Sequence, residues 1–171
     1  MVTLETERLR LRMFREDDLD AYLELCGDPE VMRFIGAGQP LSRTDTWRNI
    51  ATILGHWQLR GYGLWAVDEK ATGRFVGRIG FLNPAGWPGF ELGWALVRSR
   101  WGCGFATEGA RAALRHAFTE LRQPHVISLI RPANARSIAV AERLGERLER
   151  AVEINGVEAL VYGIGREGWG G

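Results

Sequence analysis

The junction Trp101-Gly102-Cys103-Gly104-Phe105-Ala106-Thr107-Glu108 constrains this chain more than any other stretch. It lies between an alternating run, Phe90–Val97, that predicts a strand, and a run, Ala106–Leu121, whose small and apolar residues recur at helical spacing. Glycine at 102 and 104 and alanine at 106 clear side chains from the turn, so main-chain N–H groups can converge on one point. A helix start adds partial positive charge to those groups, and the combination suits a phosphorylated ligand. The alternative is a tight strand-to-helix connection that binds nothing. Two commoner phosphate motifs do not fit. No Lys follows Gly104 as a P-loop requires, and Thr107 stands where the dinucleotide fingerprint places its third glycine.

A chain of 171 residues suits one domain, 1–171, with a sizeable core. The formal net charge of +1 gives no global field to recruit nucleic acid or an acidic membrane. Cys26 and Cys103 are far apart and form neither a disulfide framework nor a metal-spaced pair. His56, His116 and His125 share no ligand spacing, so no metal site is expected. The N-terminal run alternates charged and apolar residues, unlike a secretory signal, and no apolar run reaches the length of a membrane span. A reducing, cytoplasmic setting is the expectation.

Taken in order, Leu9, Leu11 and Met13 alternate with Arg8, Arg10 and Arg12, which predicts a half-buried strand with the arginines on its wet face. Glu16–Cys26 carries an apolar stripe of helical period, and Asp28-Pro29-Glu30 starts a short turn of helix. Ser42 is the expected cap of a helix running to about Arg60. Strands follow at Leu64–Val67 and Arg74–Leu82, the second interrupted by Gly77 and Gly80, which signal a bulge or a close backbone approach. His125–Ile130 is a further strand, and Ala135–Leu144 a helix. Glu146–Ile154 and Val157–Ile164 flank Asn155-Gly156, a hairpin turn. The order is βααβββαβαββ, a mixed α/β domain.

In Phe90–Val97, alternation places Glu91, Gly93, Ala95 and Val97 on one face. A carboxylate beside Gly and Ala has room for a ligand next to it; the alternative is a face simply solvated at Glu91.

These pieces together resemble the GNAT superfamily of acyl-CoA N-acyltransferases, and within it the RimJ/RimL-type branch. The resemblance covers nearly the whole chain: Thr6-Glu7-Arg8-Leu9-Arg10-Leu11-Arg12, Asp28-Pro29-Glu30-Val31-Met32, Gly77-Arg78-Ile79-Gly80, Glu91-Leu92-Gly93-Trp94, the junction 101–108, Asn134-Ala135-Arg136-Ser137 and Glu142-Arg143-Leu144-Gly145. It implies a mostly antiparallel twisted sheet, splayed between the strands at 90–97 and 125–130 and flanked by about four helices.

It also implies that Trp101, Gly102, Cys103, Gly104, Phe105, Ala106 and Thr107 hold the pyrophosphate of acetyl-CoA, with Asn134 and Ser137 beside its pantetheine arm. Asn134 also suits the cap of its own helix. Trp101 replaces the polar residue that usually opens the pyrophosphate motif, at little cost if the loop acts through main-chain N–H groups. The implied reaction is direct transfer of an acetyl group to a primary amine, without an acyl-Cys103 intermediate. Glu91 is the candidate base and Ser137 the candidate donor to the leaving sulfur, because Ala141 stands where many relatives carry a Tyr. The expected acceptor is a protein or peptide N-terminal amine. Small amines, or a non-catalytic acyl-CoA-binding module, are the alternatives. Arg33–Ser42, the Ile154–Val157 hairpin and Trp87 are the expected acceptor walls, and the protein a monomer or homodimer.

Overall fold

A computed structural model describes residues 2–170. Eight strands form one sheet: β1 (Leu4–Glu5), β2 (Leu9–Arg12), β3 (Leu64–Glu69), β4 (Arg74–Leu82), β5 (Glu91–Leu96), β6 (His125–Ile130), β7 (Arg147–Ile154) and β8 (Val157–Gly165). Their order is β1-β2-β3-β4-β5-β6-β8-β7, antiparallel throughout except between β5 and β6. Among the described residues the α-helices are α1 (Leu19–Cys26), α2 (Pro29–Met32), α3 (Arg43–Arg60), α4 (Phe105–Thr119) and α5 (Ala135–Leu144). The turn expected at Asp28-Pro29-Glu30 is α2, its start capped by Asp28 accepting from the Glu30 N–H at 2.9 Å. β1 escaped the sequence reading because two residues carry no period.

Alternation along the central strands builds two cores. Trp65, Val67, Ile79, Phe81 and Leu92 face α4, whose Ala110, Ala113, Leu114 and Ala117 are fully buried. Leu64, Ala66 and Ala95 face α1 and α3, meeting Tyr22, Leu25, Ile50 and Ile53. The small side chains of α4 let its axis approach the sheet closely. Register confirms the break at Gly77: Val67 pairs with Gly77 and Asp68 with Phe75, leaving Val76 as the extra residue of a bulge.

The expected wet face of β2 needs correction. Arg10 is exposed beside Glu5, but Arg12 is largely covered and held by Asp18 and Asp68 at 2.7 and 2.6 Å. Those two carboxylates come from outside the strand, which a period within the strand cannot foresee. Together they hold the Arg12 guanidinium further into its charged form than a free arginine.

The feature that positions the site is the seam between β5 and β6. Only Glu91 and Ile127 are registered across it, with the Ile127 N–H donating to the Phe90 carbonyl at 2.9 Å. Just beyond, the Ser128 hydroxyl bridges to the Leu92 carbonyl at 2.9 Å. Past that point the strands part, and Trp94, Ala95 and Leu96 border open space.

Candidate acyl-coenzyme A site

The open space is a cleft of about 1620 Å³ that runs from the split in the sheet to the start of α4. Gly102 and Gly104 take φ of 77° and 81°, left-handed values that cost glycine little. Gly104 is the cap of α4, so the first N–H groups of that helix face the cleft mouth with no side-chain acceptor from the cap. Trp101, Gly102, Gly104, Phe105, Ala106 and Thr107 all border the cleft. The Phe105 side chain is buried in the α4 core, so this residue offers only its backbone.

Two anchors set the loop. The Trp101 indole N–H donates to the Leu96 carbonyl at 2.9 Å, tying the turn to the free end of β5. That explains tryptophan where a polar residue is the commoner choice. Arg8 is the second anchor. It donates to the Cys103 carbonyl at 3.0 Å, lies over the Phe105 ring at 4.7 Å, and pairs with Glu108 at 2.6 Å. Thr6 and the Arg8 N–H also donate to Glu108, and these bonds hold its carboxyl below the usual range against a desolvation that pushes the other way. Arg8 was expected to be a solvated strand residue; it is a strut beneath the junction. Cys103 is exposed and does not border the cleft.

Seven arginines and four glutamates line the cleft, an excess of positive charge in a chain whose net charge is only +1. Arg111 and Arg115 come from α4, Arg136 and Arg143 from α5, and Arg136 stacks on Trp101 at 4.4 Å. Sequence reasoning missed this cluster. The spacing of four in α4 and seven in α5, each on one helix flank, was the available signal.

Asn134 and Ser137 border the cleft, and the Ser137 N–H donates to Asn134 Oδ1 at 3.2 Å. Asn134 therefore does cap α5. Ala141 is fully buried against Ile130 and Tyr162.

Glu91 is buried, which overturns the solvated alternative, yet its carboxyl does not border the cleft. It sits at the vertex where β5 and β6 part. The Trp87 indole donates to it at 2.7 Å, so Trp87 serves the carboxylate directly. Burial pushes the Glu91 pKa up to about 7, against the opposing pull of Trp87 and of the Arg78 charge. Gly93 leaves the carboxyl uncrowded on that face: a Cβ there would meet only Glu91 Oε1, at 3.9 Å.

A second carboxyl lies behind the first. Glu146 is buried, with Oε1 3.0 Å from the Ser128 hydroxyl and Oε2 without a partner. Desolvation, reinforced by Glu149 and Glu91, pushes its pKa up to about 8. One Ser128 proton cannot serve both Leu92 and Glu146. A protonated Glu146 donating to Ser128, which donates to Leu92, satisfies both bonds at the seam.

The stability consequence has a definite sign. An unfolded glutamate ionises near about 4.3, whereas folded Glu146 keeps its proton to about 8. The folded state binds the extra proton between those values, so stability falls as pH rises through them. Glu146→Gln is expected to melt close to the parent at pH 4.5. By pH 8.5 it should melt higher, by an amount on the order of 2–4 kcal/mol. Parallel melting curves across that range would refute the assignment.

Of the expected acceptor walls, Arg33, Phe34 and Ile35 border the cleft. Gly36, Ala37, Gln39, Pro40 and Leu41 line a separate, smaller chamber of about 220 Å³, and Gly38 and Ser42 line neither. The Ile154–Val157 hairpin lines neither, because β7 and β8 stand at the far edge of the sheet.

Residues 8–147 match the acetyltransferase (GNAT) domain family. The chain belongs to that family. This GNAT protein is 33% identical over 157 residues to YkkB of Bacillus subtilis, covering 87% of each chain. It superposes on an acetyltransferase from Agrobacterium tumefaciens with a TM-score of 0.85 and 35% identity, over 96% of this chain and 94% of the other. The fold is shared with RimL, a ribosomal L7/L12 alpha-N-protein acetyltransferase in complex with coenzyme A. There the TM-score is 0.79 and the identity 20%, over 96% of this chain and 98% of RimL. The GNAT protein is thus an acetyl-transferring enzyme with a mixed α/β fold. Among its described residues no helix is long and apolar enough to cross a membrane, and no cluster of three His, Cys, Asp or Glu side chains is placed to hold a metal.

Proposed function

We propose that this enzyme moves an acetyl group from acetyl-CoA directly to the α-amine at a protein or peptide N-terminus. The observation that carries the donor half is the α4 junction: unobstructed helix-start N–H groups at the mouth of an arginine-rich cleft. The pyrophosphate binds there, the 3′-phosphate among the arginines of α4 and α5, and the thioester near Asn134, Ser137 and the parted end of β5. Ser137 donates to the departing sulfur. Free N–H and C=O groups of β5 past the seam are the candidates to receive the pantetheine amides and the oxyanion.

The acceptor half rests on Glu91. A base with a pKa of about 7 is matched to an α-amine, which ionises at about 7.7–8.0, and poorly matched to a lysine amine near about 10.4. The proton passes through the gap above Gly93, directly or by way of one water. Two free cysteines, Cys26 and Cys103, fit a reducing cytoplasmic compartment.

Thiol release from acetyl-CoA, followed across peptides with free N-termini, their N-blocked lysine counterparts and small amines, tests the reading. Release with the free N-termini is the expected result. Release with lysine or small amines alone would overturn the acceptor assignment, and none with any amine would overturn the whole. At the donor end, Gly104→Ala puts a side chain at φ 81°, where only Arg8 lies within 4 Å. The strain, about 1–2 kcal/mol, should tilt the N–H groups and raise the KM for acetyl-CoA about tenfold. An unchanged KM would remove the junction from donor binding.

A further inference from the structure

Beside the cleft lies the 220 Å³ chamber, which none of the residues assigned to the acetyl donor lines. Its floor is Arg78, from β4. Arg12, the other strand arginine drawn inward, takes two carboxylates. Arg78 takes none among the described residues, and its Nε is buried without a hydrogen-bond partner. Arg78 is half-buried, and a guanidinium cannot shed its charge, so its buried Nε edge favours an acceptor brought from elsewhere. Glu91 lies on the same face of the sheet and feels the Arg78 charge, but the two do not form an ion pair.

The remaining walls suit an anion. The Tyr22 hydroxyl donates to Asn49 Oδ1 at 2.7 Å, so the Asn49 N–H₂ is left as the donor end of a side chain that lines the chamber. Gln39 adds a second amide, and Cys26, Met32 and Leu41 keep the surroundings apolar, where a charge-assisted hydrogen bond is strongest. The chamber is smaller than the roughly 300–1,000 Å³ of a whole-ligand pocket, so it holds one small group. It also adjoins the reaction path. Ile35 lines both the chamber and the cleft, and Arg78 pairs in register with Ala95, itself a cleft residue beside the parted strands.

We infer that this chamber receives a carboxylate borne by the acetyl acceptor, gripped by Arg78, and so selects acidic acceptors. The inference rests on the acetyltransferase reading of the cleft. A carboxylate beside an α-amine has two sources: a free amino acid, or an acidic side chain next to the N-terminus of a peptide. Both present an anion a few bonds from the nitrogen.

The test compares kcat/KM within each enzyme preparation, for serine against serinamide, and for a C-terminally amidated Ser-Asp-Ala peptide against its Ser-Asn-Ala counterpart. A preference of about ten- to hundredfold for the acid in either pair is expected from wild type, the worth of a charge-assisted bond to a half-buried arginine. The first pair reports the free amino acid, the second the peptide. In Arg78→Gln the ratio should fall towards one, and Arg78→Lys should restore part of it. Because each ratio is internal, loss of folded protein in a variant cancels. No preference in either pair, or one that survives Arg78→Gln, overturns the inference. Should no amine be acetylated, the functional reading fails separately. The chamber is then judged by whether sodium acetate, at matched ionic strength with chloride, raises the melting temperature of wild type and not of Arg78→Gln. Equal shifts overturn it.

Discussion

Glu91→Gln is expected to slow acetyl transfer to a peptide N-terminus about 10²- to 10³-fold near pH 7, the usual worth of a positioned base. The substitution keeps the shape and leaves an oxygen for the Trp87 indole to bond, so the loss falls on proton removal. Below about pH 7, where Glu91 takes up its proton, wild type should lose a further tenfold per pH unit on top of the limb set by the acceptor amine. In the variant the further loss should vanish, leaving only the limb of the acceptor amine, which moves when the acceptor is changed. At pH 9.5 the amine is already neutral, and the two enzymes should differ less than about tenfold. Stability should move the other way. Folded Glu91 holds its proton to about 7, well above the unfolded value near about 4.3, so ionising it costs the folded state increasingly as pH rises between the two. Glu91→Gln should therefore melt higher than wild type above pH 7 while turning over more slowly. A carboxyl kept buried at that cost is what a base at an active centre requires. A variant with an unchanged pH profile would show that another group accepts the proton.

Why Glu91 was readable and Arg8 was not is a matter of range. Glu91 stood out because one strand of alternating residues placed an acid beside Gly93 and Ala95, a pattern confined to a few positions. Its burial was not readable, since that depends on Trp87 folding back over it and on β6 closing the seam. The glycine junction was likewise local, and all its residues but Cys103 border the cleft. Arg8 meets Glu108 across a hundred residues of chain; its period marks only the face it leaves from, not what arrives opposite. The same holds for the arginines of α4 and α5, which become one cluster only when the two helices lie side by side. The Ile154–Val157 hairpin, expected as an acceptor wall, lines neither cavity for a topological reason, because β8 inserts between β6 and β7 and carries that hairpin to the sheet edge. Arg78 sat within a recognised stretch, but its lack of a partner is a property of its surroundings.

Gly80→Ala should be the costliest small change in the molecule, and its register partner supplies the control. Gly80 has φ of 149°, a conformation closed to residues with a side chain, and a Cβ there would stand 2.3 Å from the Gly63 carbonyl and 2.8 Å from Leu64 Cα. Both are backbone atoms at the start of β3, and that carbonyl also accepts the Phe81 N–H at 3.0 Å. Relief requires moving β3 against β4 in the middle of the sheet, over Trp65 and Phe81, which are fully buried. Strain and backbone displacement together should cost about 3–5 kcal/mol, lowering the melting temperature by roughly 10–15 °C. Gly93, paired with Gly80 across β4 and β5, meets nothing closer than the Glu91 carboxyl at 3.9 Å. Gly93→Ala should therefore leave melting within about 3 °C of wild type while placing a methyl group in the proposed path from the acceptor to Glu91. Its loss should appear in turnover. Equal destabilisation by the two substitutions would mean that β3 and β4 yield easily. The sheet could not then be the rigid frame that holds Arg78 and Glu91 on either side of the acceptor.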